Sequence, residues 1–251
     1  MRRYLLFLIS ILVILGCVAG CGGEKKSEGA KALKVGTEVT FPPFEFRERG
    51  SREISGFDMD LIRAIGKKLD MRIEVLDMDF EALIPAVRRG NLNLVIAGMT
   101  ITPDRQKVVD MSDSYYTSGL VLVTNQGNNA IQKPEDLKNR AVAVQIGTTG
   151  EEKAKQLAGD KVLRFKTNEE VFQALKEKKA EAIIIDKPVA QYFLKKHHPD
   201  MLIAGDTFEK EEYGIVMRRH GELTPKINKA LAELKQSGEY DKIYEKWFGK
   251  N

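Results

Sequence analysis

Residues 97–105, Ala-Gly-Met-Thr-Ile-Thr-Pro-Asp-Arg, gather a glycine, two threonine hydroxyls and a guanidinium in one short stretch. The planar fork of arginine matches a carboxylate through two parallel hydrogen bonds, where lysine offers only a point charge. Thr100 and Thr102 can each donate and accept, and Gly98 lets a ligand approach the backbone. The apolar run 92–97 in front of them reads as a buried strand. Together these residues describe a strand tip that opens into a cleft and grips the carboxylate end of a small molecule. From this stretch alone, a solvated arginine after a Thr-Pro turn remains the other reading of Arg105.

A second tip matches the first. Residues 85–98 (PAVRRGNLNLVIAG) and 173–186 (QALKEKKAEAIIID) both give a helix end, a polar turn and a buried strand, with no gap between them. Gly98 and Asp186 then end equivalent strands in two α/β lobes. Ligands of open α/β sheets bind beyond the carboxyl ends of strands. Two such lobes facing each other put Arg105 on one wall and Asp186 on the other. A zwitterionic α-amino acid needs this set: a cationic fork, an anion, and the hydrogen-bonding groups of Gly98 and Thr100 between them. Thr149-Gly150-Glu151-Glu152 fits a capping box, Thr-x-x-Glu. The free N–H groups of that helix start form a second carboxylate-binding element. A plain helix cap before Lys187-Pro188 is the alternative for Asp186. Glu38 and Phe41 leave the first strand together and can line the same site, although Phe41 also reads as an ordinary core aromatic.

The elements that carry these residues follow from periodicity. Strands are expected at 33–36, 73–76, 92–97, 120–124, 141–144, 162–165, 180–185 and 214–218. Phe57, Leu61, Ile65 and Leu69 recur at helical spacing, so 58–69 is an amphipathic helix. Further helices are expected at 80–89 with Asp79 as cap, from 147–152 through Leu157, from a cap at Asn168 to 178, and at 223–237 and 239–248. Tyr240, Ile243, Tyr244 and Trp247 of the last helix are expected in the core. Strand and helix alternate, which predicts an α/β fold with mainly parallel sheets. The chain crosses between lobes near 118–124 and again near 209–213. His197, His198 and His220 fall in polar loops that read as exposed, away from any catalysis.

Composition is that of an ordinary globular protein, 43% hydrophobic and 30% charged over 251 residues. The formal charge of +4 counts Arg2 and Arg3, whose removal leaves +2 with the signs well mixed. That excludes a basic nucleic-acid-binding face. Arg2 and Arg3 precede the apolar run 4–15, the pattern of a targeting segment too short to favour a membrane span. Val18-Ala19-Gly20-Cys21 resembles the lipobox of bacterial lipoproteins, with cleavage before Cys21 and lipidation of its thiol. Cys17 is a poorer match because Leu15 stands where a small residue is usual. Neither cysteine is then a free thiol, a metal ligand or a nucleophile. Residues 22–31 are Gly, Glu, Lys and Ser with no apolar period, a flexible tether.

Five motifs in order carry a family resemblance: 36–46 (GTEVTFPPFEF), 56–61 (GFDMDL), 97–105 (AGMTITPDR), 112–116 (SDSYY) and 147–149 (GTT). Over roughly 33–248 the sequence resembles bacterial extracellular solute-binding proteins of the polar amino-acid type, the glutamine, histidine and lysine/arginine/ornithine group of ABC importers. The resemblance implies a two-lobed periplasmic-binding-protein fold, each lobe a mainly parallel sheet flanked by helices, joined by a two-strand hinge. Lobe 1 is then 32–117 with 213–251 and lobe 2 is 118–212, behind a signal peptide 1–20 and a tether 21–31. It also implies that Arg105 clamps the α-carboxylate with N–H groups at Thr100 and Thr149, within the Gly-Thr-Thr motif that includes Thr148. Asp186, Thr100 and the Gly98 carbonyl hold the ammonium. Phe41 and Phe80 sandwich the ligand side chain, and Glu38 and Gln145 reach its far end. Position 38 is often Asp in the family. A carboxylate there suits arginine, lysine or histidine, accepts hydrogen bonds from glutamine, and repels acidic ligands. The implied protein is a monomeric binding component, not an enzyme, with no cofactor or metal. Its partners are an amino acid, permease subunits and the membrane through Cys21, on the periplasmic side or outer face. Rival readings are a lyase on the same fold with Glu38 as acid or base, and a ligand-sensing domain.

Overall fold

The computed structural model describes residues 32–48 and 50–250. The expected signal peptide (1–20), the tether (21–31), Cys17 and Cys21 lie outside the described residues.

Two five-stranded sheets carry the fold. The first runs Arg72–Asp77, Ala32–Thr37, Leu94–Val95, Val216–Met217, Asp110–Met111. The second runs Val162–Phe165, Val142–Gln145, Ala182–Asp186, Tyr116–Asn125, Met201–Tyr213. In both, the first three strands are parallel and the fourth is reversed. Four strands of each sheet therefore point one way, and the sheets are mostly parallel as expected. The reversed strand is in each case the one the chain enters on crossing from the other sheet. A small antiparallel sheet, Thr40–Phe41 with Glu45–Arg47 and Ile54–Ser55, extends the first lobe.

The strands Leu94–Val95 and Ala182–Asp186 hold the same third place in their sheets, so Gly98 and Asp186 do follow equivalent strands. The paired part of the first is shorter than the apolar run 92–97, because its antiparallel neighbour Val216–Met217 offers only two residues. The same limit shortens the expected strand 214–218. The crossings are antiparallel partners of one another. Tyr116 faces Tyr213, Ser118 faces Glu211, and a register shift separates this segment from the pairs beyond Ala204.

Helix starts differ from expectation in three places. Asp79 occupies the N-cap of Phe80–Arg89 but makes no capping bond; its carboxylate instead takes Lys166 Nζ at 2.7 Å. Asn168 is the first residue of Asn168–Lys176, and Thr167 is the cap, in a reciprocal box with Glu170. Thr148, not Thr149, caps Thr149–Ala158. The helix Glu239–Phe248 has no fully buried residue. Its Tyr240, Ile243, Tyr244 and Trp247 are half-buried against the core, since the helix covers one flank of Phe57–Lys68 and keeps its outer side in water. Trp247 Nε1 donates to Asp60 at 2.7 Å from that position. His198 is half-buried rather than exposed, stacked on Phe172 at 5.2 Å.

Gly98 is held at φ +52°, and a Cβ there would stand 2.4 Å from the Phe41 ring. Its missing side chain makes room for Phe41, a tighter role than the expected approach of a ligand. Asp58, fully buried, accepts the Gly98 N–H at 2.9 Å and the Tyr115 hydroxyl at 2.7 Å, fixing the strand tip. Left-handed strain and ring displacement act together, so Gly98→Ala is expected to destabilise the ligand-free protein by about 2 kcal/mol or more. Urea denaturation measures it, and an unchanged midpoint would contradict the contact.

Candidate functional site

Arg105 lies in the short helix Pro103–Gln106, whose cap Thr102 accepts the Arg105 N–H at 3.2 Å. The turn aims the side chain inward, where it is only 8% exposed. Nη1 donates to the Thr100 carbonyl at 2.7 Å and Nη2 to the Gly147 carbonyl at 3.0 Å. The first carbonyl follows a strand of the first sheet and the second follows a strand of the second. The Phe80 ring centroid lies 5.7 Å from the guanidinium carbon. Burial lowers the guanidinium's proton affinity, and Glu152, Glu211 and Asp186 push it back up. Arginine so placed stays charged. The surface reading of Arg105 is excluded.

Asp186 ends its strand at the N-cap of Lys187–Lys196 but makes no capping bond. Its Oδ1 accepts Ser118 Oγ at 3.1 Å and the Tyr213 hydroxyl. Burial, then the neighbouring Glu211 carboxylate, holds its carboxyl well above the usual range. The plain-cap reading therefore fails: the helix starts without this side chain. Thr100 joins both ends, because its carbonyl accepts Arg105 and its Oγ1 donates to Glu211 Oε2 at 2.9 Å.

At the second sheet, Thr148 Oγ1 accepts the Glu151 N–H at 3.1 Å and donates to the Gln145 carbonyl at 2.8 Å. The first N–H groups of the helix, at Thr149 and Gly150, have no intrahelical acceptor. Gln145 Nε2 donates to Glu38 Oε2 at 3.0 Å, and Thr40 Oγ1 adds a bond at 2.9 Å. Asn168 supports the pair, donating to Gln145 Oε1 at 3.1 Å and through its N–H to Thr40 Oγ1 at 3.0 Å. Burial raises the Glu38 carboxyl to about 7 against these bonds, and no cation among the described residues offsets it. Phe41 packs on Phe44 at 5.6 Å, beside Gly98.

These contacts form one continuous run: Glu38, Gln145, Thr148, Gly147, Arg105, Thr100, Glu211, Asp186. All ten expected site residues lie on it or beside it. A cavity of about 280 Å³ lined by Thr100, Thr149, Glu152 and Glu211 opens along its flank. Sequence reasoning missed Glu211, Tyr213, Ser118 and Asn168. Glu211 stands in the charged run 209–212, which reads as a solvated face. The signal was strand alternation: Glu211 and Tyr213 share one side of a hinge strand, and both are buried. Among the described residues no cluster of His, Cys, Asp or Glu could hold a metal ion.

A family model for bacterial extracellular solute-binding proteins, family 3, matches residues 33–250. The chain belongs to this family. It is 37% identical to the arginine-binding extracellular protein ArtP of Bacillus subtilis (strain 168), over 99% of this chain and 98% of that one. Two solved structures of an ancestral arginine-binding protein, one bound to arginine and one to glutamine, match at TM-score 0.84 and 47% identity, covering 87% of this chain and 98% of theirs. As a family 3 solute-binding protein it works outside the cytoplasm and is not an enzyme, which removes the lyase reading of Glu38. No described helix is long and apolar enough to cross a membrane.

Buried carboxyl groups set the pH dependence of this family 3 protein. Glu38 titrates at about 7 and Asp58 at about 6, while Glu45 and Asp186 are held well above the usual range, all chiefly by burial. Each binds its proton more tightly folded than unfolded. Their stabilisation is fully present below about pH 4 and is lost as pH rises through the folded values. Glu169, raised chiefly by burial, adds to them; His198, lowered by partial burial, works the other way, one group against five between pH 5 and pH 8. The ligand-free protein is expected to melt at a higher temperature at pH 5 than at pH 8, and a calorimetric scan showing the reverse order would count against these assignments.

Proposed function

We propose that this family 3 protein is the substrate-binding component of an ABC importer and takes a basic L-amino acid of the arginine type. The observation that carries the reading is the charge of the contact run: one guanidinium, Arg105, against three buried carboxyl groups, Asp186, Glu211 and Glu38. Arg105 takes the α-carboxylate with N–H groups at Thr100 and Thr149. Asp186, Thr100 and the Gly98 carbonyl take the ammonium. The side chain passes between Phe41 and Phe80 and ends at Glu38 and Gln145. A buried cation needs a paired anion, and Glu38 is a buried carboxyl without a cation, so ligand and site satisfy each other. The arginine-binding relatives support this choice. Glutamine is the second reading, supported by the ancestral structure bound to it and by the capacity of Glu38 to accept from an amide.

The same proposal covers organisation and location. Residues 32–117 with 213–251 form one lobe and 118–212 the other, and they close about the paired hinge strands. Residues 1–20 act as a signal peptide, Cys21 carries the lipid anchor, and 21–31 tether a monomeric binding unit to the membrane near its permease. The lipobox-like Val18-Ala19-Gly20-Cys21 supports this part.

The test is a thermal-shift screen of residues 22–251, refolded to strip carried-over ligand, against the common amino acids. Arginine is expected to give the largest shift, glutamine alone favours the second reading, and no shift with any of them overturns both. In titration calorimetry, Arg105→Ala leaves the ligand carboxylate buried and unpaired, at a cost of about 2–5 kcal/mol, or about thirtyfold to several thousandfold in affinity. Near-native affinity for that variant refutes the clamp. Glu38→Gln removes a charge but keeps a hydrogen-bonding group. It is expected to weaken arginine by about tenfold or more and glutamine by only about threefold; equal losses mean that Glu38 meets no cation.

A further inference from the structure

Three adjacent strands of the second sheet bring two buried carboxyl groups together. Ala182–Asp186 pairs with Tyr116–Asn125, which pairs with Met201–Tyr213. Ser118 faces Glu211 in the register and donates to Asp186, so Glu211 and Asp186 meet across it. The two residues are 3% and 8% exposed. Two of their four oxygens accept hydrogen bonds from neighbouring hydroxyls. Asp186 Oδ1 accepts Ser118 and Tyr213, and Glu211 Oε2 accepts Thr100. The two carboxyl groups come within hydrogen-bonding reach of each other, and a bond between them needs a hydrogen. The other titratable or charged groups facing Asp186 are Tyr213 and Tyr116 from the hinge strands, and Glu45 and Arg105 from the side of the first sheet. Among the described residues Arg105 is the one cation there, and its guanidinium N–H bonds go to the carbonyl oxygens of Thr100 and Gly147. Two like charges in contact in a buried site do not both ionise.

We propose that Asp186 and Glu211 share one proton in the ligand-free protein, and that the ligand's ammonium displaces it to solvent on binding. The inference rests on the amino-acid reading of the site and adds its proton balance. The carboxyl O–H bond breaks, the proton passes to water and then to buffer, and the ammonium keeps its three hydrogens and takes the proton's place beside both carboxylates. Glu211 also sets the polarity of Thr100. The single hydroxyl hydrogen of Thr100 goes to Glu211, so its lone pairs face outward as acceptors for an ammonium. Glu211 is thus a positioning residue as well as half of the acid pair.

Titration calorimetry with arginine at pH 7, in phosphate and in Tris, counts the protons released, because the two buffers differ widely in ionisation enthalpy. Glu211→Gln keeps an acceptor for Thr100 and gives Asp186 a permanent amide donor. With one of the two carboxylates beside the ammonium gone, it is expected to weaken arginine by about tenfold while releasing between about half a proton and one proton fewer. Glu211→Ala also strips Thr100 of its acceptor and is expected to lose about tenfold more affinity than the Gln variant, which keeps that acceptor. Any release from Glu38 cancels in the comparison of wild type with Glu211→Gln. Glu38→Gln serves as a second measurement that leaves the pair intact, so its remaining proton release belongs to Asp186 and Glu211. Equal proton counts for wild type and Glu211→Gln, or no release in Glu38→Gln, overturn the shared proton while arginine binding stands. No heat with any amino acid in wild type overturns the site reading and this inference together.

Discussion

A guanidinium at 8% exposure cannot be left without partners, and much of the cleft is arranged around that requirement. Arg105 reaches the Thr100 carbonyl on one side and the Gly147 carbonyl on the other. Each carbonyl belongs to a loop that follows a parallel strand, so the position of Arg105 depends on both sheets at once. Thr102 sets the turn that aims it, and Asp58 and Phe41 fix the tip from which that turn departs. Guanidinium has five N–H donors, and the carbonyls take two of them. The remaining donors are available to a carboxylate, as the proposed clamp requires, without undoing the bonds that hold the side chain.

The contacts that join the two sides are otherwise modest. Lys166 and Asp79 are partly exposed, and an exposed ion pair contributes about 0–1 kcal/mol. Glu38 with Gln145, and Asn168 with Thr40, are neutral-donor bonds of the kind worth about 1 kcal/mol each net of water. Sums of this size bias a two-state hinge without fixing it. A ligand shifts such an equilibrium only by its differential affinity for the closed state. In the proposed binding mode a zwitterion gains that difference, because its carboxylate and ammonium ends meet groups from both sheets.

Helices were legible in the sequence because their apolar positions repeat: Phe57, Leu61 and Ile65 are all fully buried on one face. The matched tips at Gly98 and Asp186 were legible for the same reason, as a repeated order of helix end, turn and strand. Side-chain choices at helix starts were not. Asp79 and Asn168 look like caps, yet each is drawn to a partner distant in sequence, Lys166 and Gln145, and Thr167 caps the second of these helices. Local preference yields to a tertiary bond of comparable strength. Glu211 was hidden by its company. A run of Glu, Lys, Glu, Glu has the composition of a solvated edge, and only the pairing of the hinge strands turns one glutamate inward. The terminal aromatics failed in the opposite sense: their spacing is that of a core helix, but a helix at the end of the chain is covered on one side only.

The two sheets share one topology, yet their tips carry different chemistry. At the first, the residue is glycine, because Phe41 occupies the space a side chain would need. At the second, it is Asp186, with Glu211 beside it. Equivalent positions thus present a cation-bearing turn on one wall and an acid pair on the other. In the proposed binding mode an amino acid meets both, with its carboxylate toward Arg105 and its ammonium toward Asp186. The same proposal sends the side chain along Phe41 and Phe80 toward Glu38. On that proposal, selection among amino acids falls to the far end of the run, where a single buried carboxyl group and the amide of Gln145 set the charge and reach that fit.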